Sequence, residues 1–305
     1  MRLLASALVL AIAACACGGR SQTSSVVATP ARPATLAERM IALLPDGVQL
    51  LVEVDLARLR ANPVVGEVTS RALDDLGEDA KLPGLPMTVQ GSPLAAADLV
   101  VLAAYGVGTA QAATVTLLAT RKDVAGATRL APDVVALGPP EWVDQLEARA
   151  AIAAREPLVP TLDLMRLRDH AMPRQAPGAV LRVTARLPFD ARVTLARELG
   201  LPTAPAQLSV WGDVVDDLAI IVDGDAADPG DKDVKEAAQR LADAMRALLA
   251  AAGNEPALRA LGLTGALRDV RMIDQRSWVR TIITVGPRQL ARAAERARAM
   301  LPPAP

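Results

Sequence analysis

The feature that most restricts the fold is an alternation of apolar and polar residues in two distant segments. In segment 48–56, one side of an extended chain carries only aliphatic residues: Val48, Leu50, Val52, Val54 and Leu56. In segment 181–187, the aliphatic side carries Leu181, Val183, Ala185 and Leu187. A period of two residues predicts strands with one buried face, in antiparallel or mixed sheets. Further strands are expected at 97–105, 113–120, 207–213, 217–223, 268–275 and 279–285.

Helices are predicted where apolar residues recur every three or four positions. The clearest case starts at Asp233, which with Glu236 forms a capping arrangement, and its apolar stripe contains Val234, Ala238, Leu241, Met245, Leu248 and Leu249. Other helices are expected at 287–301, 36–44, 63–77, 140–154 and 189–199. Together these segments predict the α+β class, with mixed or antiparallel sheets covered by helices and a ferredoxin-like texture.

Three local similarities, in the same order, predict that the chain contains two related halves. Segment 48–56 resembles 180–187, segment 98–102 resembles 217–221, and segment 135–139 resembles 283–287; the alternative is chance similarity of common strand-to-helix junctions. We therefore divide the body into a first half, 36–156, a connecting segment, 157–178, and a second half, 179–301. The last residues, 302–305, are expected to form a disordered tail because three of the four are prolines.

The N-terminal residues combine a positive charge, a short apolar run and a cysteine. Arg2 precedes the run 3–14, whose length as a helix is about 18 Å, against about 30 Å for a bilayer core. This pattern predicts a secretory signal peptide over residues 1–14. The run ends in Ile12-Ala13-Ala14-Cys15, which resembles the lipobox of bacterial lipoproteins. The alternatives are a plain secretory signal and cleavage before Cys17.

The lipobox resemblance implies that Cys15 becomes the first residue and carries acyl chains that hold the protein in the bacterial cell envelope. Ala16 follows it, and since Asp at this position is the inner-membrane retention signal of such lipoproteins, the resemblance favours the outer membrane. Residues 15–35 are small, polar and rich in proline, and predict a flexible tether. The body resembles uncharacterised envelope lipoproteins with duplicated, split β-α-β halves, and that resemblance implies no particular activity.

Composition and motifs exclude several functional classes. The net charge of −1 leaves no basic field for nucleic acid. His170 is the single histidine and no Gly-x-Ser-x-Gly motif is present, so neither a zinc site nor a Ser-His triad is expected. The pair Gly106 and Gly108 predicts a hairpin turn rather than a nucleotide site, because Gln111 stands where a dinucleotide fingerprint has its third glycine. We expect no cofactor.

Two groups of residues are candidate ligand sites. Eight aspartates lie between 213 and 233, and four of them are weak candidates for calcium ligands: Asp223, Asp225, Asp228 and Asp231. An EF-hand reading from Asp225 places Ala227 and Pro229 at ligand positions, so the alternative is a solvated loop whose acids complement the following helix dipole. The chain's tryptophans would line a groove or, in the favoured interpretation, serve as packing anchors: Trp142, Trp211 and Trp278.

These observations predict a lipid-anchored envelope protein with a non-enzymatic binding or scaffolding role. Its expected partners are the membrane, through the lipid, and an envelope protein. One alternative is a periplasmic-side binder of a small apolar ligand or lipid between the halves. The other is a hydrolase that uses a pair of carboxylates as general acid and base. A deep closed pocket would favour the first alternative, and two converging buried carboxylates the second.

Overall fold

The computed structural model describes residues 34–75, 91–162, 164–165, 179–226, 233–267, 270–275 and 277–301. In these ranges the strands are β1 (Leu50–Asp55), β2 (Leu99–Tyr105), β3 (Ala113–Ala119), β4 (Thr128–Ala131), β5 (Val134–Leu137), β6 (Leu181–Arg186), β7 (Gln207–Val214), β8 (Leu218–Asp225), β9 (Arg271–Gln275) and β10 (Trp278–Val285). The helices are α1 (Leu36–Ala42), α2 (Leu56–Ala61), α3 (Gly66–Asp75), α4 (Gly91–Ala96), α5 (Pro140–Ala153), α6 (Phe189–Leu199), α7 (Val234–Gly253), α8 (Pro256–Leu261) and α9 (Pro287–Met300).

The ten strands form one antiparallel sheet in the order β4-β5-β3-β2-β1-β6-β7-β8-β10-β9. Its central pair, β1 and β6, joins the first half to the second, with Val52 opposite Val183. The order within the first half, β1-β2-β3-β5-β4, is repeated as β6-β7-β8-β10-β9 in the second. The predicted α+β class, the two related halves and the antiparallel alternative are therefore confirmed.

The strand order corrects two finer expectations. A split β-α-β unit would place a third strand between β1 and β2, but these strands are hydrogen-bonded neighbours. The similarity of 98–102 to 217–221 pairs β2 with β8, which hold the second and third positions of their halves and so do not correspond. The other two similarities join strands that do correspond, β1 with β6 and β5 with β10.

One face of the sheet, here called the front face, carries the larger apolar cluster. Val100 of β2, Ile220 of β8 and Ile283 of β10 face helices α2, α3, α8 and α9 there. A smaller cluster on the same face sets Val279 of β10 against the apolar stripe of α7, which includes Leu241. This stripe is the one predicted from the sequence, and Asp233 caps its helix as expected, accepting a hydrogen bond from the backbone N–H of Glu236.

On the opposite, rear face, the described apolar cluster takes its helices from the first half. Met40 and Ile41 of α1 and Leu146 of α5 pack there on Val101 of β2 and Leu117 of β3. The corresponding last helix of the second half, α9, packs on the front face through Leu290 and Ala293. The two halves therefore share strand order but place their final helices on opposite sides of the sheet. The rear face of β6–β10 carries a row of polar residues.

Local signals explain why the longer helices begin where they do. Thr35 and Glu38 form a reciprocal capping box at the start of α1. Helices α5 and α9 each begin with a proline in the first turn, where no backbone donor is needed. Each begins at or directly after a Gly-Pro pair, at 138–139 and 286–287, within the two similar segments 135–139 and 283–287. Among the described residues, no helix combines the length and apolarity needed to cross a membrane.

Candidate functional site

Most of the residues singled out in the sequence lie outside the described ranges. These are the lipobox with Cys15, the proposed tether up to residue 33, His170, most of the connecting segment beyond residue 165, the calcium candidates Asp228 and Asp231, and the tail 302–305. Asp223 and Asp225 are described, and both lie on strand β8 rather than in a loop.

Asp223 is engaged by an arginine rather than free to bind a cation. The guanidinium of Arg280 on the neighbouring strand β10 donates two hydrogen bonds to its carboxylate, at 2.7 and 2.6 Å. The hydrogen bond to Asp223 raises the pKa of Arg280, although burial of the guanidinium opposes the shift. In the described part of the chain, no group of three or more His, Cys, Asp or Glu residues is arranged to hold a metal. The calcium hypothesis gains no support.

The Asp223–Arg280 pair belongs to a polar row that crosses the rear face of the second half. The strand register places these residues side by side: Leu51, Thr184, Ser209, Asp223, Arg280 and Ile273. Thr184, Ser209 and Asp223 are each less than a tenth exposed. Buried polar groups cost free energy unless they are hydrogen-bonded. This explains why Asp223, the charged residue among the three, is paired with an arginine.

A second buried carboxylate connects the two halves. Asp213 near the end of β7 pairs with Arg58 of α2 at 2.8 Å, and the Asp213 side chain is 12% exposed. Arg58 follows β1 directly in the chain, so the pair holds the first half against the last residues of β7. A third buried carboxylate, Glu53 on β1, lies directly opposite Arg182 of β6 in the register.

These three carboxylates do not converge on one point. In the register, Asp213 lies opposite Ala219, four residues from Asp223, a distance of about 13 Å along the strand. Glu53 on β1 is two strands away from β7, and in the register it lies level with Trp211, two residues before Asp213. The Cα atoms of Glu53 and Asp213 are therefore about 12 Å apart. In glycoside hydrolases the two catalytic carboxyl groups lie about 5–9.5 Å apart.

A cavity of about 200 Å³ opens on the rear face near the sheet edge. Its lining includes Asp223, Arg280, Ile273 and Trp278. Ile273 is 44% exposed, so the cavity has one apolar wall open to solvent beside the charged pair. Its volume is below the 300–1,000 Å³ that is typical of small-molecule sites.

The front face has a row of partly buried valines at the junction of the halves, packed against the larger apolar cluster. Val52, Val183, Val210 and Val222 lie opposite one another on β1, β6, β7 and β8. Each is intermediate in exposure, although these are the central strands of the sheet. This valine row is the described feature that most resembles the aliphatic cleft expected between the halves.

The tryptophans differ in their surroundings. Trp142 of α5 stacks on Tyr105 with the ring centroids 4.0 Å apart, which fits the predicted packing role. Trp211 is 8% exposed, and its indole N–H has no hydrogen-bond partner among the described residues. Trp278 lines the cavity described above.

Sequence reasoning missed the residues that join the halves. Asn62 follows α2, and its side-chain amide donates to the backbone oxygens of Val214 and Val215, at 3.3 and 2.8 Å. Arg58 and Arg280 are two of many arginines, and nothing local distinguishes them. Asn62 carried a weak signal, because it is one of only two asparagines and directly precedes a proline, a pair common in turns.

No protein-family model matches the chain, and no curated protein sequence matches it. Among solved structures, two crystal forms of a protein named TP0453 are similar. Crystal form I is 8% identical, with a TM-score of 0.41 and coverage of 84% of this chain and 96% of that chain. Crystal form III is 9% identical, with a TM-score of 0.43 and coverage of 85% and 98%. Similarity this distant assigns no function or residue role to this chain.

Proposed function

We propose that this chain is a lipid-anchored protein of the bacterial cell envelope with a non-enzymatic binding or scaffolding role. Acyl chains on Cys15 supply the anchor, and Ala16 favours the outer membrane as its site. The observation that carries the non-enzymatic role is the state of the buried carboxylates. Asp213 and Asp223 are each held by an arginine, Arg58 and Arg280.

A carboxylate in such a pair is held in position, and its oxygens accept hydrogen bonds from the arginine. The Cα atoms of the buried Asp213, Asp223 and Glu53 are about 12 Å or more apart, which gives no support to the carboxylate-dependent hydrolase. The Asp213–Arg58 pair and the shared sheet instead connect the two halves into one platform. A platform of this kind suits attachment of a partner protein.

One observation favours a second candidate function, the binding of a small apolar ligand or lipid. The valine row spans both halves and is only partly buried, so an aliphatic ligand lying across its exposed part would remove apolar surface from water. The cavity near Arg280 is smaller than typical small-molecule sites and is lined by the charged Asp223–Arg280 pair, so it supports this candidate less.

The experiment that tests the anchor compares the two cysteines, since Cys17 is a matched control two positions from Cys15. In wild-type protein and in Cys17→Ala, the N-terminal peptide should start at residue 15 and carry acyl mass. In Cys15→Ala that mass should be absent, and the body should move from the detergent phase to the aqueous phase on phase separation. Mass spectrometry of the N-terminal peptide measures its first residue and its acyl mass. The amount of protein in each phase measures the release of the body.

An unacylated wild-type N-terminus, or acyl mass retained in Cys15→Ala, would contradict the proposal. The aqueous body also separates the two candidate functions. Native mass spectrometry should show it without a bound lipid if it acts as a scaffold, whereas a stoichiometric lipid would favour the apolar-ligand candidate.

A further inference from the structure

The two edges of the sheet differ in how well they are protected from further strand pairing. At one edge, β4 has four residues, and its register with β5 shifts at Arg129. The Arg129 side chain also donates hydrogen bonds to three backbone oxygens of the neighbouring loops. Short length, a bulge and charged side chains are the features that keep a sheet edge from pairing with other chains. At the other edge, β9 pairs with β10 through five consecutive residues without a register shift. Strand β9 is therefore the less protected edge.

The register shows which backbone groups of β9 point away from the sheet. The carbonyl oxygen of Ser277 accepts a hydrogen bond from the N–H of Ala226, which follows β8. Because successive residues of a strand direct their backbone groups to alternate sides, the even-numbered residues of β10 bond β9. Ile273 lies opposite an even-numbered residue and bonds β10, so the N–H and C=O groups of Met272 and Asp274 face outward. Within the described ranges, these outward groups form no backbone hydrogen bond.

The rear face beside this edge carries exposed apolar and cationic side chains. Ile273 is 44% exposed, and Arg271, two residues before it on the same face, is also exposed. The side chain of Arg280 on β10 is 44% exposed, whereas its partner Asp223 on β8 is 6% exposed. Helix α7 packs on the opposite, front face of β9, at Met272. The rear face of β9 and β10 therefore presents positive charge and apolar surface to water, next to a carboxylate that is buried.

A strand added at β9 would meet two different side chains on this face. Its residue opposite Ile273 would lie beside the cavity wall that Ile273 forms. Its residue opposite Arg271, two positions away, would lie beside a guanidinium. An apolar residue suits the first position and a carboxylate the second. The cavity volume of about 200 Å³ fits a single side chain better than a whole small molecule.

We propose that the outer edge of β9 binds an extended segment of a partner protein, in which an apolar residue and a carboxylate stand two positions apart. Backbone hydrogen bonds to Met272 and Asp274 supply the affinity, and contacts with Ile273 and Arg271 supply the selectivity. The inference names the kind of partner for the binding role proposed above and rests on that role. It does not depend on the anchor at Cys15.

Binding of a synthetic peptide to the full-length protein in detergent tests the site. The probe is fluorescein-labelled Thr-Glu-Thr-Val-Thr-Glu-Thr, which places its valine beside Ile273 and a glutamate beside Arg271 in either chain direction. Fluorescence anisotropy should show it binding about three- to tenfold more tightly than Thr-Lys-Thr-Val-Thr-Lys-Thr. Arg271→Glu should reverse this preference, because the charge at the edge changes sign. The matched control Arg292→Glu, at an exposed position of α9, should leave the preference unchanged.

Two changes at residue 274 separate backbone pairing from charge attraction. Asp274→Pro removes the outward N–H but no hydrogen bond to β10, so peptide binding should be lost while cooperative thermal unfolding is kept. Asp274→Ala keeps that N–H and should bind the peptide. In the wild-type protein, bound peptide should slow the hydrogen exchange of segment 271–275 and leave that of segment 128–131, at the other edge, unchanged.

Equal affinity for the two peptides, or unchanged exchange in segment 271–275 with peptide bound, would overturn the proposal. A segment 271–275 that is protected without peptide, in a protein that elutes as a dimer, would assign the edge to a second copy and overturn it as well. Mass spectrometry of the same samples reports the acyl group on Cys15. An acylated protein that does not bind the peptide therefore contradicts this site alone and leaves the proposed anchoring in place.

Discussion

Tyr105 is the chain's single tyrosine and closes strand β2 in the rear-face core. It is 3% exposed, its ring stacks on Trp142, and its hydroxyl donates to the backbone oxygen of Pro45 at 3.3 Å. Burial raises the pKa of Tyr105, and the positive charge of Arg149 opposes that shift only in part. The folded protein therefore holds a proton that the unfolded chain releases near pH 10.

The sign of the resulting pH dependence follows from this difference. Below about pH 10 both states are protonated, so the tyrosine's contribution to stability is fully present. Above about pH 10 only the folded state keeps the proton, and the free energy of unfolding falls by up to about 1.4 kcal/mol per pH unit. Stability is lost as the pH rises toward the folded-state value.

Ultraviolet absorbance of tyrosinate measures this prediction without ambiguity, because no other tyrosine contributes. In denaturant the signal should appear with a midpoint near pH 10, about that of a free tyrosine. In the native protein it should appear only at higher pH, together with loss of circular dichroism. In Tyr105→Phe the alkaline loss of stability should be smaller. Tyrosinate formed near pH 10 in a protein that stays folded would contradict the burial argument.

At the scale of elements, a short turn after α2 joins the two halves through one side chain. Asn62 is 8% exposed and donates to the oxygens of Val214 and Val215 at the β7–β8 connection. Its side-chain oxygen also accepts from the backbone N–H groups of Val64 and Val65, at 2.9 and 3.0 Å. One amide thus satisfies backbone groups from both halves.

Replacing Asn62 with alanine should reduce the free energy of unfolding by about 2–4 kcal/mol, since buried donors and acceptors are left without partners. The matched control is the chain's other asparagine, Asn254, whose exposed side chain bonds only the Ala250 oxygen at the end of α7. Asn254→Ala should cost less than about 1 kcal/mol. Denaturant unfolding measures both, and equal losses would remove the special role given to Asn62.

Among the strands and helices, the local sequence pattern predicted some elements correctly and missed others. The predicted strand 113–120 is observed as Ala113–Ala119, and the predicted helix 189–199 is observed as Phe189–Leu199. The four-residue strand β4 was not predicted, because it is too short to show alternation and contains an irregular pairing with β5. The brief helices α4 and α8 were missed for the same reason, since six residues do not complete two helical turns.

At the scale of the molecule, the junction between β1 and β6 makes the two halves depend on each other. Five pairs of residues face each other across it, from Leu50 and Ala185 to Val54 and Leu181. Either half alone would expose a strand edge that lies at the centre of the intact sheet, and such edges aggregate or pair with other strands. The valine row, which is partly buried in the intact sheet, would also become more exposed to water in either half alone.

We therefore expect neither half to fold alone. Fragments 36–156 and 179–301, each produced separately, should lack a cooperative unfolding transition, and their co-production should restore one complex with the circular dichroism of the whole body. Size-exclusion chromatography and thermal unfolding measure both results. A fragment that unfolds cooperatively as a monomer would show that its half is an independent domain.

The sequence alone determined which segments become strands and long helices, because alternation every two residues, or recurrence every three to four, records which side of a local segment is buried. The tertiary structure alone decided the pairing of β1 with β6, the packing of α9 on the front face, and the choice of Arg58 and Arg280 as partners of Asp213 and Asp223. These contacts join residues far apart in the chain, and their partners are selected by the geometry of the assembled sheet. A single sequence carries no periodic signal for such contacts.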